Sequence, residues 1–259
     1  MSRVLPPPRP LLELLHVWWP VALGWSVAMV VQRATGRPWD PVGVGVLLSG
    51  IAAAYSLDRA LDPTPGWSPV HRRLLLVVTA VATAVGAALV LALPPQSAAL
   101  VPLAGVAALA YRRMKRVPFA KTLGVPLVWT WCGLVLPAGD GSWLGWRTAT
   151  DAVALPLFLL IAAGCLLCDV KDAARDRAAG VPSLPALFGS RATLGLAATI
   201  AVAAAVTAAA AGRPGLACSA IVLCGVAARP TLVATDVVGP LAIDAVLTLP
   251  GVLIALGLV

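Results

Sequence analysis

The stretch DAVALPLFLLIAAGCLLCDVKDAARDRAAG, which runs from Asp151 to Gly180, decides the fold of this chain. Its first 18 residues contain one charged side chain, that of Asp151, whereas six of its last 12 residues are Asp, Lys or Arg. A helix needs about 20 consecutive apolar residues to cross the ~30 Å hydrocarbon core of a bilayer. The stretch therefore predicts a transmembrane helix that ends in a charged segment at a membrane surface.

Apolar runs of about this length recur along most of the chain. Of its 259 residues, 60% are hydrophobic and 12% are charged, and the mean hydropathy is +0.93. So little charge excludes a soluble globular protein of this size. Candidate membrane spans occupy residues 11–31, 41–58, 74–94, 97–112, 122–137, 151–168, 192–211, 215–228 and 237–258. We therefore expect an all-α polytopic membrane protein, with about nine transmembrane helices in a single domain, 1–259.

The basic residues cluster at the ends of apolar segments, which explains the net charge of +8 without nucleic-acid binding. With nine helices, 15 of the 19 Lys and Arg residues lie on the side of the N-terminus. This asymmetry predicts a cytoplasmic N-terminus, because cations are retained on that side of the membrane. We expect an integral protein of a bacterial plasma membrane, in contact with lipid and not with nucleic acid.

Two groups of aspartates lie on the same cytoplasmic side. Asp58 and Asp62 are four residues apart in AYSLDRALDP (54–63), and Asp169, Asp172 and Asp176 follow the span quoted first. These spacings place each group on one face of a helix, where like charges repel unless cations lie between them. Mg²⁺ would relieve the repulsion and could bridge the two groups to a diphosphate. The alternative is a pair of solvated helix ends, neutralised by neighbouring arginines.

A third polar loop, YRRMKRVPFAK (111–121), contains five cations and no acid. Retention of positive charge on the cytoplasmic side is sufficient to explain this loop. A phosphate-binding role is also open, because Lys and Arg commonly supplement metal ions at phosphoryl groups. Lys115, Arg116 and Lys121 are the candidates for that role.

The continuation of the second group, DVKDAARDRAAGVPSLPALFG (169–189), resembles the second aspartate motif of the UbiA superfamily of intramembrane prenyltransferases. The matching residues are Asp176, Arg177, Gly180, Ser183, Leu184 and Gly189. Tyr111, Lys115 and Arg116 also match the family's Tyr-x-x-x-Lys-Arg. The first motif matches in part, because Asp58 and Asp62 are present whereas Ala54 and Tyr55 replace its Asn and first Asp.

The resemblance implies a central cavity under a polar cytoplasmic cap and Mg²⁺-dependent prenyl transfer from a polyisoprenyl diphosphate to a lipophilic acceptor, aromatic or quinone-like. The catalytic and metal-binding residues would be Asp58, Asp62, Asp169, Asp172 and Asp176, with two Mg²⁺ ions. The diphosphate would be bound by Lys115, Arg116, Lys121, Arg177, Tyr55 and Arg59. The loss of one acid at Tyr55 implies altered metal affinity or donor geometry.

Four further residues are candidates for lining the cavity: His16, Tyr111, Trp129 and Asp244. Three of them have a structural alternative: His16 could bond a neighbouring helix, and Trp129 is favoured as an interfacial belt residue. Asp244 could act as a base near the acceptor or could be satisfied structurally. Two other functions stay open, a terpene cyclase on the same scaffold and a transporter, although a transporter predicts charge near the bilayer midplane.

Overall fold

The computed structural model describes residues 10–61, 69–114, 117, 119–137, 147, 150–235 and 238–259, without the side chains of 10–17, 69, 111, 112, 114 and 121. Over this part of the chain the structure is helical and contains no strand. The expected all-α fold is confirmed.

Nine long helices and two short ones occupy the described residues. The long helices are α1 (Pro10–Thr35), α2 (Pro41–Leu61), α3 (Pro69–Val90), α4 (Pro95–Met114), α5 (Ala120–Val135), α6 (Leu155–Ala178), α8 (Ser190–Ala210), α9 (Pro214–Ala227) and α11 (Val238–Ala255). The short ones are α7 (Leu184–Phe188) and α10 (Pro230–Val233), and a π-helical turn, Thr150–Ala154, precedes α6. Each predicted span corresponds to one long helix.

Five helical segments within the described residues are long and apolar enough to cross a membrane by themselves: Pro41–Leu61, Val70–Val90, Thr150–Ala178, Ser190–Ala210 and Val238–Ala255. Pro95–Ala110, Thr122–Val135 and Pro214–Ala227 are apolar but shorter. The protein is therefore an integral membrane protein, as the composition predicts.

Helix α6 lies at the centre of the bundle. It packs against α5, α8, α9 and α11, and its Leu166 and Leu167 are fully buried. By contrast, α3 packs mainly along α2 and exposes one apolar stripe that includes Val70, Val77 and Val81. In a membrane such an exposed stripe faces lipid, so α3 lies at the periphery and α6 in the protein interior.

Small residues allow α11 to approach α1 and α6 closely. The buried Gly251 amide of α11 donates a 2.9 Å hydrogen bond to Ser26 Oγ of α1. On the other side, a methyl group at Gly164 of α6 would lie 2.7 Å from Leu247 Cδ1 of α11. Close backbone approach and polar contacts of this kind are what hold helices together in lipid, where the hydrophobic effect between them is weak.

Because each long helix crosses the bundle once, consecutive long helices run antiparallel. The C-terminal ends of α2, α4, α6 and α9 therefore lie at one end of the bundle. This shared end contains the second aspartate group and the described part of the first. The N-terminal turn of α11 also begins there.

Candidate active site

The second aspartate group lies on the last turns of α6, which continues as a helix ten residues past the predicted end of its span, Cys168, to Ala178. Asp169 and Asp176 are 5% and 6% exposed, and Ala173 between them is also buried. These three residues form the face of α6 that is turned into the bundle. The side chain of Asp172 lies at the margin of that face and is 17% exposed.

A glycine ends α6 directly after this group. Gly180 adopts the left-handed conformation, with φ of +66°. This geometry lets the Val181 amide donate a 2.8 Å hydrogen bond to the carbonyl oxygen of Asp176. Glycine is favoured at such a helix end because it has no Cβ to clash. The chain therefore leaves the helix one turn after Asp176.

Two cations neutralise Asp172. Lys171 Nζ lies 2.9 Å and Arg175 Nη2 lies 3.1 Å from Asp172 Oδ1. The structural interpretation expects arginines to neutralise Asp58, Asp169 and Asp176, whereas Arg175 contacts Asp172 in the structure. Lys171, the second cation at Asp172, is not among the predicted site residues. The signal that could have identified it is its position inside the acidic motif, between Asp169 and Asp172.

Arg177, a predicted diphosphate-binding residue, contacts the segment that follows α6. Its Nη2 donates to the carbonyl oxygens of Pro185 at 3.5 Å and Ala186 at 3.4 Å. Both acceptors belong to α7, so Arg177 attaches this short helix to the end of α6. Its role in binding a diphosphate stays a prediction.

The first aspartate group is described in part. Asp58 and Arg59 are partly buried in the last turn of α2, whereas Asp62 lies outside the described residues. One turn earlier, the ring of Tyr55 packs edge-on against Trp129 of α5, with the ring centroids 6.2 Å apart. Trp129 is 8% exposed, so the interpretation of this residue as part of an interfacial belt is wrong. An aromatic pair lies where the resembling motif would have its first acid.

Asp244 lies in the second turn of α11 and is partly buried. It is the one charged residue of that helix, and no cation is near it in the sequence. Both interpretations of Asp244, as a base near the acceptor and as a structurally satisfied carboxylate, stay predictions.

Several other candidates are not placed. Lys115 and Arg116 lie outside the described residues, and the side chains of Lys121, Tyr111 and His16 are not described although their backbones are helical. A cavity of about 500 Å³ lies between the end of α8 and the start of α9, at the opposite end of the bundle from the aspartates. It is lined by Ala209, Gly212, Arg213, Pro214, Ala217, Cys218, Ile221 and Val222, and includes no predicted site residue.

The described residues contain no group of three or more His, Cys, Asp or Glu side chains that could hold a metal ion by themselves. The shared end of the bundle contains several carboxylates, two of which are buried on α6. It also contains the cations Lys171, Arg175 and Arg59. Such a mixture suits a ligand that has both negative charge and bound cations. A diphosphate with Mg²⁺ is a ligand of this kind.

The fold is similar to that of solved membrane proteins. The apo structure of a UbiA homolog from Aeropyrum pernix K1 superposes with a TM-score of 0.73 at 20% identity, covering 92% of this chain and 98% of that one. A UbiA homolog from Archaeoglobus fulgidus, bound to DMAPP and Mg²⁺, has a TM-score of 0.56 at 15% identity, covering 92% and 97%. A structure of digeranylgeranylglyceryl phosphate synthase has a TM-score of 0.53 at 14% identity, covering 95% and 94%.

At such low identities these likenesses concern the fold alone. Comparison with curated protein sequences finds no match. The sequence model of the UbiA prenyltransferase family, however, matches residues 68–237. This range contains the whole second aspartate group and the basic loop, and begins after Asp58 and Asp62. The chain belongs to the UbiA prenyltransferase family.

Proposed function

We propose that the protein transfers a prenyl group from a polyisoprenyl diphosphate to a lipophilic acceptor with an aromatic or quinone-like ring, in a reaction that depends on Mg²⁺. The observation that carries this proposal is the buried face of α6, which presents Asp169 and Asp176 at the end of a membrane helix with Asp172 at its margin. Family membership supports it, because members of this family are prenyltransferases. The ligands of the Archaeoglobus fulgidus homolog, DMAPP and Mg²⁺, support the donor class and the metal.

The carboxylates at the shared end are suitable ligands for Mg²⁺. This ion is usually held by one or two carboxylates and completes its shell with water and substrate phosphate oxygens, so it does not require a preformed cage of three acids. One or two carboxylates of the group Asp169, Asp172 and Asp176 would bind one ion, and Asp58 with Asp62 would bind a second. When bound, Mg²⁺ supplies positive charge that stabilises the departing diphosphate.

Lysine and arginine side chains of the protein would also stabilise the departing diphosphate. Lys171 and Arg175 bind one oxygen of Asp172, which holds that carboxylate in place and keeps two positive charges beside it. Lys115, Arg116 and Lys121 would add charge from the neighbouring loop. Fixed cations aimed at a leaving group stabilise the charge that develops as the bond to the prenyl carbon breaks.

The hydrocarbon chain of the donor would lie among the helices. The aromatic pair Tyr55 and Trp129 lies one turn deeper than Asp58, so the prenyl chain would extend past it. An aromatic ring face can stabilise a nearby cation, and these rings could shield the allylic cation from water until the acceptor attacks. The charge asymmetry of the loops supports a cytoplasmic position for this site.

Catalysis is expected to depend on the metal ion. Purified protein in detergent is expected to release diphosphate from a polyisoprenyl donor when Mg²⁺ and a suitable ring acceptor are present, and to stop when EDTA removes the ion. Addition of excess Mg²⁺ should restore the rate. The measurement is diphosphate release across a series of donor lengths.

The same assay separates the alternatives. Release from geranylgeranyl diphosphate without acceptor, with a cyclic hydrocarbon as the product, would indicate a cyclase instead of a transferase. Release that is unaffected by EDTA would contradict the metal assignment. A protein that releases no diphosphate from any donor would contradict the proposed function.

A further inference from the structure

The cavity between the end of α8 and the start of α9 lies far from the aspartates, at the opposite end of the bundle. Its volume of about 500 Å³ falls within the ~300–1,000 Å³ that is usual for ligand pockets. Among the residues that line it, Arg213 is the one that carries a charge, and most of the others are apolar. The cavity is therefore suited to a ligand that is largely hydrocarbon and has one anionic group.

The end of α8 determines where Arg213 lies. Gly212 adopts the left-handed conformation, with φ of +67°, and its amide donates a 3.0 Å hydrogen bond to the carbonyl oxygen of Ala209. The Arg213 amide donates a 2.8 Å hydrogen bond to the carbonyl oxygen of Ala208. These bonds satisfy carbonyl groups in the last turn of α8. The negative end of this helix is thus partly neutralised where Arg213 leaves it.

The guanidinium group of Arg213 is held in place but is incompletely paired. Its Nη2 donates a 3.2 Å hydrogen bond to the carbonyl oxygen of Ala34, in the last turn of α1. This bond caps α1 and uses one of the five N–H groups of the arginine. The Nε atom is buried and has no hydrogen-bond partner within the described part of the chain. Because an unpaired donor of a buried charged group is unfavourable, an acceptor from outside the chain is expected.

The start of α9 adds positive potential beside this guanidinium. Pro214 has no N–H group, and the first amide of α9 that bonds back along the chain is that of Ala217, which donates to the carbonyl oxygen of Arg213 at 3.1 Å. The amides of Gly215 and Leu216 therefore have no acceptor within the helix. Such amides point towards the start of the helix and give it partial positive charge. The charge complementary to this end of the cavity is negative.

The remaining wall of the cavity is an apolar face of α9. Ala217, Cys218, Ile221 and Val222 follow one another at helical spacing on this face. Val222 is nine residues beyond Arg213, which places it about 13 Å deeper in the bilayer. Ile221 and Val222 are 64% and 41% exposed, so this wall is open to lipid. A ligand with its anionic group at Arg213 would extend its hydrocarbon part along α9.

We propose that this cavity binds an anionic phospholipid from the leaflet opposite the proposed active site. The phosphate would contact Arg213 and the start of α9, and an acyl chain would lie along Ile221 and Val222. Arginine can bind phosphate oxygens through two parallel N–H groups. The lining contains no carboxylate that could pair with the ammonium of a zwitterionic headgroup. The bound lipid would join the ends of α1, α8 and α9, whether or not the proposed reaction is correct.

The test uses purified full-length protein that has been stripped of lipid in detergent and then titrated with phosphatidylglycerol. Native mass spectrometry measures the bound lipid, and thermal unfolding measures the accompanying rise in Tm. Arg213→Gln should weaken binding about tenfold, because a charge-assisted contact is lost, whereas Arg213→Lys should retain part of it. Arg33→Gln removes an exposed arginine at the same end of the bundle and is the matched control. Equal affinities of the wild type and Arg213→Gln would overturn the proposal.

A second variant removes the space and keeps the charge. Ala217→Phe would fill the cavity without altering the hydrogen bond between Arg213 and Ala34. It should weaken phosphatidylglycerol binding as well, and loss of the cap on α1 could not explain that result. Unchanged binding by Ala217→Phe would show that the lipid binds outside the cavity, which would contradict the proposal.

Lipid fragments separate the two halves of the ligand. Glycerol phosphate has the phosphate without the chains, and diacylglycerol has the chains without the phosphate. Each should raise the Tm of the wild type less than phosphatidylglycerol does, and phosphatidylcholine should give an intermediate rise. An equal rise with glycerol phosphate would indicate a site for a soluble phosphate compound, and an equal rise with diacylglycerol would indicate an apolar groove that does not recognise charge. Either result would overturn the proposal, and none of these measurements depends on diphosphate release.

Discussion

Replacing Asp176 with alanine is expected to lower Mg²⁺-dependent diphosphate release by about 100-fold or more. Its carboxylate is 6% exposed and lies on the face of α6 that is turned into the bundle, where water does not readily substitute for it. The helix itself should persist, because its end is formed by Gly180 and by the backbone carbonyl of Asp176, not by the side chain. The loss is therefore expected in the rate and not in the amount of folded protein.

Asp172→Ala is the companion variant, and it should also lower the rate. Here the substitution removes a carboxylate and releases Lys171 and Arg175 from their shared contact. Asp151→Ala is the matched control, since Asp151 precedes the same helix at the other end of the bundle and its side chain is 71% exposed. Undiminished release by both Asp172→Ala and Asp176→Ala would remove α6 from the proposed site.

Substitution of Gly251 by valine should destabilise the folded protein by about 3 kcal/mol, because the added atoms meet an inflexible neighbour. A Cβ on this residue would lie 2.7 Å from both Cβ and Oγ of Ser26, and it would also press on the Ser26 backbone. The side chain cannot be accommodated by a rotamer change, so α1 and α11 must separate. Their hydrogen bond between the Gly251 amide and Ser26 Oγ would weaken as well.

Thermal unfolding in detergent measures this effect as a lower Tm. Gly225→Val on α9 is the control, because a Cβ there has no neighbouring atom within 4 Å. The control also receives a residue of better helix propensity than glycine, so its Tm should stay the same or rise. Equal Tm values for Gly251→Val and Gly225→Val would contradict close packing of α1 on α11.

The helices were predictable from the sequence because each depends on local composition. A run of apolar residues must form its own hydrogen bonds in lipid, and a helix is the way to do so. The hydropathy template predicts that α6 ends at Cys168, which is too early, because the template stops where charged residues begin. In the structure the charged segment continues the helix to Ala178, which is why the spacings of Asp169, Asp172 and Asp176 still predict one shared face.

The contacts between helices could not be predicted in this way. Gly251 of α11 is distant in sequence from Ser26 of α1, and nothing local indicates that the Gly251 amide bonds the Ser26 hydroxyl. The burial of Trp129 against Tyr55 could not be predicted either, because hydropathy does not distinguish a tryptophan of the interfacial belt from one in the protein interior. Lys171 is different, because its position between Asp169 and Asp172 in the motif is visible in the sequence alone.

The abrupt end of α6 at Gly180 has a kinetic consequence for the proposed reaction. The polar half of the donor would react at the boundary of the bilayer, in exchange with water, while its hydrocarbon half remains dissolved in lipid. Donor availability is then set by the number of donor molecules per lipid and not by their number per litre. Dilution of the vesicles with buffer should leave the turnover of each enzyme unchanged, whereas dilution of the donor with added phospholipid should slow it.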